Sequence, residues 1–302
     1  MFKDKNVIIT GASRGIGKAI LEKFAKNGAN IWACASRPNK EFEEECDKLS
    51  KQNQVWIKPI YFDLLDETSI KTAFMKIFKD KVKIDILVNN AGIPSNGLMN
   101  MTPLKTLREV LEANFVAQIG IIQMVSKKMM RNKSGVIINM GSIGGIEARE
   151  GYLSYGSSKA ALLWATRSIS KELAPYNIRV NAIAPGLVKT SMGDFKPDEE
   201  AEKIISNLSI KRMGKPEEVA DAVLFLASDH ASFITGRLID ATNGHTAILF
   251  TSYKVLQAVY ERAIHQLGKY EVFCMTRNNR KVISDFRKSR NGVLFASGSM
   301  WE

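Results

Sequence analysis

Short apolar, β-branched runs alternate with longer amphipathic stretches over most of this chain. That alternation constrains its fold more than any other feature. The strand-like runs are NVIIT (6–10), NIWACAS (30–36), VWIKPIYF (55–62), IDILVNN (84–90), GVIINMG (135–141), IRVNAIAP (178–185) and RLIDAT (237–242). Helical spacing fills 15–27, 39–52, 67–79, 103–131, 155–175 and 216–227. Apolar strands separated by helices belong in a parallel sheet covered on both faces. The right-handed crossover rule then predicts an α/β, Rossmann-like doubly wound fold. Local punctuation agrees. Gly28 suits a position just past a helix end, and Pro216 with Glu217 and Glu218 suits a helix start and its dipole. The polar stretch 186–213 reads as a loop with a short helix, placed where a lid could cover a site.

Composition excludes several classes. At 45% hydrophobic and 25% charged, the 302 residues are neither disordered nor collagen-like nor a coiled coil. No apolar run approaches the ~20 residues needed to cross a bilayer. The start, MFKDKNVIITGAS, passes from charge into a strand without a secretory core, so a cytoplasmic protein is expected. Cys34, Cys46 and Cys274 match no zinc or disulfide spacing, which favours a reducing compartment and no metal site. The net charge of +12 is compatible with nucleic acid, an acidic protein or an anionic cofactor, and equally with a lysine-rich solvated surface.

Two local motifs point to chemistry. TGASRGIG (10–17) follows the first strand and opens the first helix. Gly11, Gly15 and Gly17 let the backbone turn tightly toward a phosphate, and the helix N-terminus offers unpaired N–H groups. Tyr155 and Lys159 lie four residues apart at the start of a helical stretch, on one face. A free tyrosine titrates near 10, too high for proton exchange at neutral pH; a nearby ammonium stabilises the phenolate and lowers that value. Tyr155 is thus a plausible general acid for carbonyl reduction.

The motif set resembles the short-chain dehydrogenase/reductase family over residues 1 to about 244. The resemblance rests on TGASRGIG, Asp63 after the third strand, NNAG (89–92), Asn114, Ser142 in NMGSIGG, YGSSK (155–159), NAIAPGLVKT (181–190) and RMGKPEEVADAVLFLASDHASFITG (212–236). It is most similar to the 3-oxoacyl-(acyl-carrier-protein) reductase type. The resemblance implies a nicotinamide cofactor held by Gly11, Ser13, Arg14, Gly15, Ile16 and Gly17 at the turn. Ser36, Arg37, Asp63 and Leu64 are expected at the adenosine, with Asp63 bonding the adenine amine. Asn90, Ala91 and Gly92 are expected to shape the cleft, and Pro185, Gly186, Val188 and Thr190 to line the nicotinamide end. It also implies that Lys159 bonds the ribose, Ser142 holds the substrate oxygen, and Asn114 holds a water passing protons to Lys159.

The second strand ends Cys34-Ala35-Ser36-Arg37, without the acid that binds an NAD ribose diol. Arg14, Arg37 and Ser36 could hold a 2′-phosphate, so NADP(H) is expected over NAD(H). The substrate surface is expected near Ser95–Met99, Gly144–Tyr152 and the 187–212 loop. Ile93, Leu98, Ile143, Ile146, Tyr152 and Met192 suggest an apolar ketone, free or carried as an acyl thioester. Lys127, Lys128, Arg131 and Lys133, with Lys171, form a basic cluster that could dock an acyl carrier protein or simply complement a helix end. Val116, Ile119, Ile122 and Val125, with Leu162, Leu163 and Trp164, suggest helix faces for a homo-oligomer, a tetramer by family resemblance. The tail could hinder that assembly.

Residues 245–302 stand apart from the reductase pattern. They read as a second β–α–β–α–β run, and AILFTSY and VLFASGSMWE resemble part of the second motor domain of iron–sulfur-type superfamily 2 DNA helicases. Helicase activity is not expected, because no Gly-x-x-x-x-Gly-Lys-Ser/Thr loop occurs in the sequence. The tail carries nine lysines and arginines against four acids. The sequence reads as a reductase of residues 1–244 joined to a foreign-looking fragment, with nucleic acid not needed to explain its charge. Two functions remain open: an NADPH-dependent ketoreductase, of 3-oxoacyl thioesters or of a steroid, sugar or quinone, and a cofactor-bound scaffold for a basic tail. The Asn114, Ser142, Tyr155 and Lys159 set favours the first.

Overall fold

The computed structural model describes residues 1–190, 205–206, 210–236, 238–241, 246–250, 271–274, 282, 285 and 292–297. Seven parallel strands form one sheet in the order β3-β2-β1-β4-β5-β6-β7. They are β1 (Asn6–Thr10), β2 (Asn30–Ala35), β3 (Ile57–Tyr61), β4 (Ile86–Asn89), β5 (Gly135–Met140), β6 (Ile178–Pro185) and β7 (Leu238–Ala241). The chain reverses direction of travel between β1 and β4, the switch point where open α/β sheets bind ligands. The fold is the expected doubly wound one.

The pleat divides the core into two. Ile9, Ile31, Ala33 and Val88 face α1 (Gly15–Lys26) and the helix Pro216–Ala227, meeting Phe24, Val223 and Leu226. Ile8, Trp32 and Leu87 face the other way, onto α3 (Glu67–Lys79) and the helix Ala117–Asn132 through Phe74, Ile77, Ile121 and Val125. Neighbouring residues on one strand thus serve opposite layers, as a sheet buried on both faces requires. Pro59 lacks an N–H and sits on β3, at the sheet edge, where a missing donor is tolerated. Asn39 caps α2 (Lys40–Asn53) by accepting from Glu41 and Phe42 N–H. Asp66 caps α3 by accepting from Thr68 and Ser69 N–H.

The structure changes two expectations about helices. The single helix foreseen over 103–131 is α4 (Leu104–Leu111), a π-helical turn (Glu112–Val116) and α5 (Ala117–Asn132). The second apolar face is also smaller than expected. Ile122, Val125, Leu162 and Leu163 are buried in the protein's own core, leaving Val116 and Trp164 exposed at 48% and 69%. The helix expected at 155–175 is α6 (Leu153–Leu173), and the one at 216–227 is α7 (Pro216–Ala227).

The 186–213 loop falls largely outside the described residues, but its base is tied. Lys189 N–H donates to Gly214 O and Gly214 N–H to Leu187 O, at 2.9 and 2.8 Å. Arg212 grips Glu218 through two hydrogen bonds, holding that carboxyl near a pKa of about 2. A second sheet of three parallel strands, β8 (Thr246–Phe250), β9 (Glu271–Cys274) and β10 (Gly292–Ser297), has the order β8-β10-β9. The tail's three strand-like runs are therefore strands, while the helical stretches between them lie outside the described residues. No helix among the described residues is long and apolar enough to cross a membrane.

Candidate active site

A cavity of about 420 Å³ opens along the C-terminal ends of the strands. Its first wall is the glycine turn. Gly11 and Gly15 have φ of +68° and +55°, a region that disfavours side chains. A Cβ on Gly17 would lie 1.9 Å from Gly11 O. Ser13, Arg14 and Ile16 also line this wall. No side chain caps the N-terminus of α1, whose first residues Gly15, Ile16 and Gly17 line the cavity. An uncapped N-terminus behind a cramped glycine turn fits a dinucleotide pyrophosphate.

The opposite wall comes from β4 and the loop after it. Asn90 Nδ2 donates to Thr10 O and Gly11 O, both at 3.1 Å, so Asn90 holds the glycine turn to the neighbouring strand. Thr10 Oγ1 accepts from the N–H groups of Asn90 and Ala91, both at 3.0 Å. Gln118 Nε2 reaches Ala91 O at 3.0 Å. Thr10 opens the TGASRGIG motif but had no role of its own there, and Gln118 was not foreseen, since a single glutamine in an amphipathic helix carries no signal.

At the adenosine end the cavity meets Ser36, Asp63 and Leu64. Asp63 is not the helix cap, a task that Asp66 performs; it accepts from Leu65 N–H at 2.9 Å in a tight turn. Arg14 and Ser36 border the cavity, whereas Arg37 is exposed and outside its lining. No carboxylate stands at the end of β2. Pro185, Gly186, Val188 and Thr190 close the far end, and a Cβ on Gly15 would come within 3.3 Å of Thr190 Cγ2.

Ser142, Tyr155 and Lys159 converge on this cavity. Ser142 Oγ accepts from Gly144 N–H at 3.1 Å, which leaves its own proton to donate. The Ser142 hydroxyl and the Tyr155 phenol line the same cavity. Burial raises the Tyr155 pKa above its ordinary value, the Ser142 hydroxyl pulling the other way and Tyr152 adding to the rise. The depression expected from Lys159 is thus not what sets this phenol. Lys159 Nζ lies 5.7 Å from the Tyr155 ring centroid and donates to Met140 O at 2.8 Å. Burial lowers the Lys159 pKa to about 8.

Asn114 lies behind the cavity, on the π turn. Its Oδ1 accepts from Ile93 N–H at 2.8 Å, while Nδ2 donates to Ile93 O at 2.9 Å and Ser158 Oγ at 3.1 Å. Ser158 Oγ in turn donates to Tyr155 O at 2.7 Å. The side chain expected to hold a water is therefore engaged in clamping the 89–93 loop to the catalytic helix. Ser158 had no sequence signal of its own beyond its place inside YGSSK.

Of the residues expected at a mixed, substantially apolar substrate surface, three stand in the lining. Ile93, Ile143 and Tyr152 line the cavity, but Leu98 and Ile146 are exposed and outside its lining, and Met192 lies outside the described residues. Ser95, Asn96 and Arg149 line it as well. In the basic cluster, Lys128 stacks its ammonium 4.8 Å over the Phe78 ring.

A switch-point cleft with a glycine turn and a converging Ser, Tyr and Lys defines a nicotinamide-dependent oxidoreductase. The chain belongs to the short-chain dehydrogenase/reductase family, and it is an enzyme acting on CH–OH groups and their ketones. The family model described as enoyl-(acyl carrier protein) reductase matches residues 11–246. The chain is 37% identical over 243 residues to the 3-oxoacyl-(acyl-carrier-protein) reductase FabG of Thermotoga maritima, covering 80% of this chain and 97% of that one. A structure of a 3-oxoacyl-(acyl-carrier protein) reductase from Brucella melitensis with bound NAD is 31% identical, with a TM-score of 0.71, over 79% of this chain and 89% of that one. Levodione reductase is 27% identical with a TM-score of 0.76, over 81% and 98%. A helicase C-terminal domain model matches residues 235–302, in agreement with the resemblance of the tail.

Proposed function

We propose that this protein reduces a ketone to a secondary alcohol with NADPH, Tyr155 giving the proton, and that a 3-oxoacyl thioester is its substrate. The observation that carries this reading is the convergence of Ser142 and Tyr155 on one cavity beside a buried Lys159. Two hydroxyls lining one cavity suit the oxygen of a carbonyl that becomes an alkoxide. A nicotinamide held by the glycine turn and the Pro185–Thr190 segment would supply a hydride for the carbonyl carbon. Ser142 donates to the carbonyl oxygen and holds its position. Tyr155 delivers its proton to the same oxygen, and the Lys159 ammonium favours the phenolate left behind. The Asn114–Ser158 clamp keeps the Tyr155 main chain in register with the loop after β4.

Arg14 and Ser36, with no acid at the end of β2, support NADPH over NADH. The substrate class rests on the acyl-carrier-protein reductases among the relatives. Their names also support an acyl carrier protein as the substrate's bearer. A homo-oligomer through Val116 and Trp164, a cytoplasmic location and a reductase unit ending near residue 244 complete the proposal. NADPH and NADH oxidation, measured with an acetoacetyl thioester, test it together. Higher kcat/KM with NADH would reverse the cofactor assignment. Tyr155→Phe should reduce turnover by roughly 10²–10⁴-fold while NADPH still binds; near wild-type turnover would remove Tyr155 from the mechanism.

A further inference from the structure

Among the described residues, four that line the cavity carry a formal charge: Arg14, Asp63, Arg149 and Lys159. Arg14 belongs to the glycine turn and Asp63 to the adenosine end. Lys159 is buried against Met140 O. Arg149 is therefore, among the described residues, the one charge at the substrate end. In the chain it lies between Ser142 and Tyr155, on a turn held by main-chain hydrogen bonds. Gly97 N–H donates to Gly151 O at 2.9 Å, and Tyr152 N–H to Arg149 O at 3.3 Å. Gly151 has φ of +75°, and the Tyr152 ring packs edge-on to Tyr155 with centroids 6.0 Å apart.

The Arg149 side chain is 32% exposed and pairs with Glu147 at 3.8 Å, a carboxylate that is itself 62% exposed. So long and solvated a pair contributes little. The planar guanidinium fork remains available for a better acceptor, and Ser95 and Asn96 add polar groups to the same lining.

Resting on the ketoreductase reading, we infer that Arg149 binds an anionic oxygen group of the substrate: a carboxylate or phosphate held by two parallel N–H bonds. A carboxylate would belong to the ketone itself, and a phosphate to a phosphopantetheine arm. An apolar acyl chain alone would leave this cation facing the cleft with only its long, solvated pair to Glu147.

The full chain would be assayed with NADPH on three ketones: acetoacetate, acetoacetyl-phosphopantetheine and the uncharged acetoacetyl N-acetylcysteamine thioester. The ratio of kcat/KM for an anionic ketone to that for the uncharged one should fall about ten- to hundredfold in Arg149→Gln, chiefly through KM. Arg149→Lys should recover part of the loss, and Glu147→Gln should shift the ratio toward the anion. The arm that responds names the source of the charge. An unchanged ratio in Arg149→Gln, for both anionic ketones, overturns the inference. Calorimetric titration of 3-hydroxybutyrate and of phosphopantetheine, with oxidised cofactor present, gives a reading independent of turnover. Binding weakened by Arg149→Gln in a protein that reduces no ketone would uphold Arg149 and sink the ketoreductase reading. Binding of neither anion to wild type, alongside turnover of the uncharged thioester, would do the reverse.

Discussion

Lys159 is nearly fully buried, with one hydrogen bond, to Met140 O, to compensate its charge. Burial of an ammonium on these terms is unfavourable, and the pKa of about 8 records it. The unfolded chain keeps its proton up to about 10.4. Below pH 8 both states are charged and the folded state carries the full desolvation cost. Between 8 and 10.4 the folded state has released the proton and the unfolded state has not, so this contribution to stability rises with pH. Lys159→Met should accordingly raise Tm at pH 7 by roughly 3–6 °C, with turnover lost. The gain should shrink as pH climbs from 8 to 10.4, which thermal denaturation at a series of pH values would check. The identity of Lys159 and Tyr155 was plain from their spacing and neighbours. The direction of the Tyr155 shift was not, because it depends on how much water the folded cleft removes from the phenol.

Among the elements, the π turn between α4 and α5 shows where sequence patterning runs out. Apolar spacing over 103–131 is continuous enough to read as one helix. The additional residue is accommodated at Glu112–Val116, where Asn114 faces Ile93 and bonds both its N–H and its carbonyl. That partner is 21 residues away in sequence. Asn114→Ala would strand the Ile93 main-chain groups in the interior, where unpaired polar groups are costly. The expected destabilisation is about 2–3 kcal/mol in urea unfolding. A fall in kcat should accompany it, since the same side chain reaches Ser158 and through it Tyr155. A variant as stable as wild type would show that water takes over both bonds. The caps tell the opposite story. Asn39 and Asp66 each precede an amphipathic run, and local chemistry alone makes them helix starts.

At the scale of the whole molecule, the chain joins two patterns. The reductase family model spans 11–246 and the helicase C-terminal model 235–302, overlapping around β7 and β8. Their strands form two separate sheets, of seven and three members. Among the described residues, those that line the cavity all stand at or before Thr190. Limited proteolysis should therefore cut near residue 244 and leave an active reductase, with mass spectrometry locating the cut and NADPH oxidation reporting activity. Activity lost in step with trimming would make the tail integral to the reductase. The tail holds nine of the chain's basic residues against four acids, so trimming should also lower the net charge.

The strand–helix alternation, the sheet type, the glycine turn and the catalytic residue types can be read along the chain, because periodicity, conformational freedom and reactive side chains are local properties. The remaining features depend on distance and solvent in the folded molecule. Tertiary structure buried Lys159 and raised Tyr155, and it turned Asn114 toward Ile93. It set Arg37 outside the cavity lining and Arg149 within it. Each of these depends on which remote groups stand beside a residue once water has been displaced, and no spacing along the chain encodes that directly.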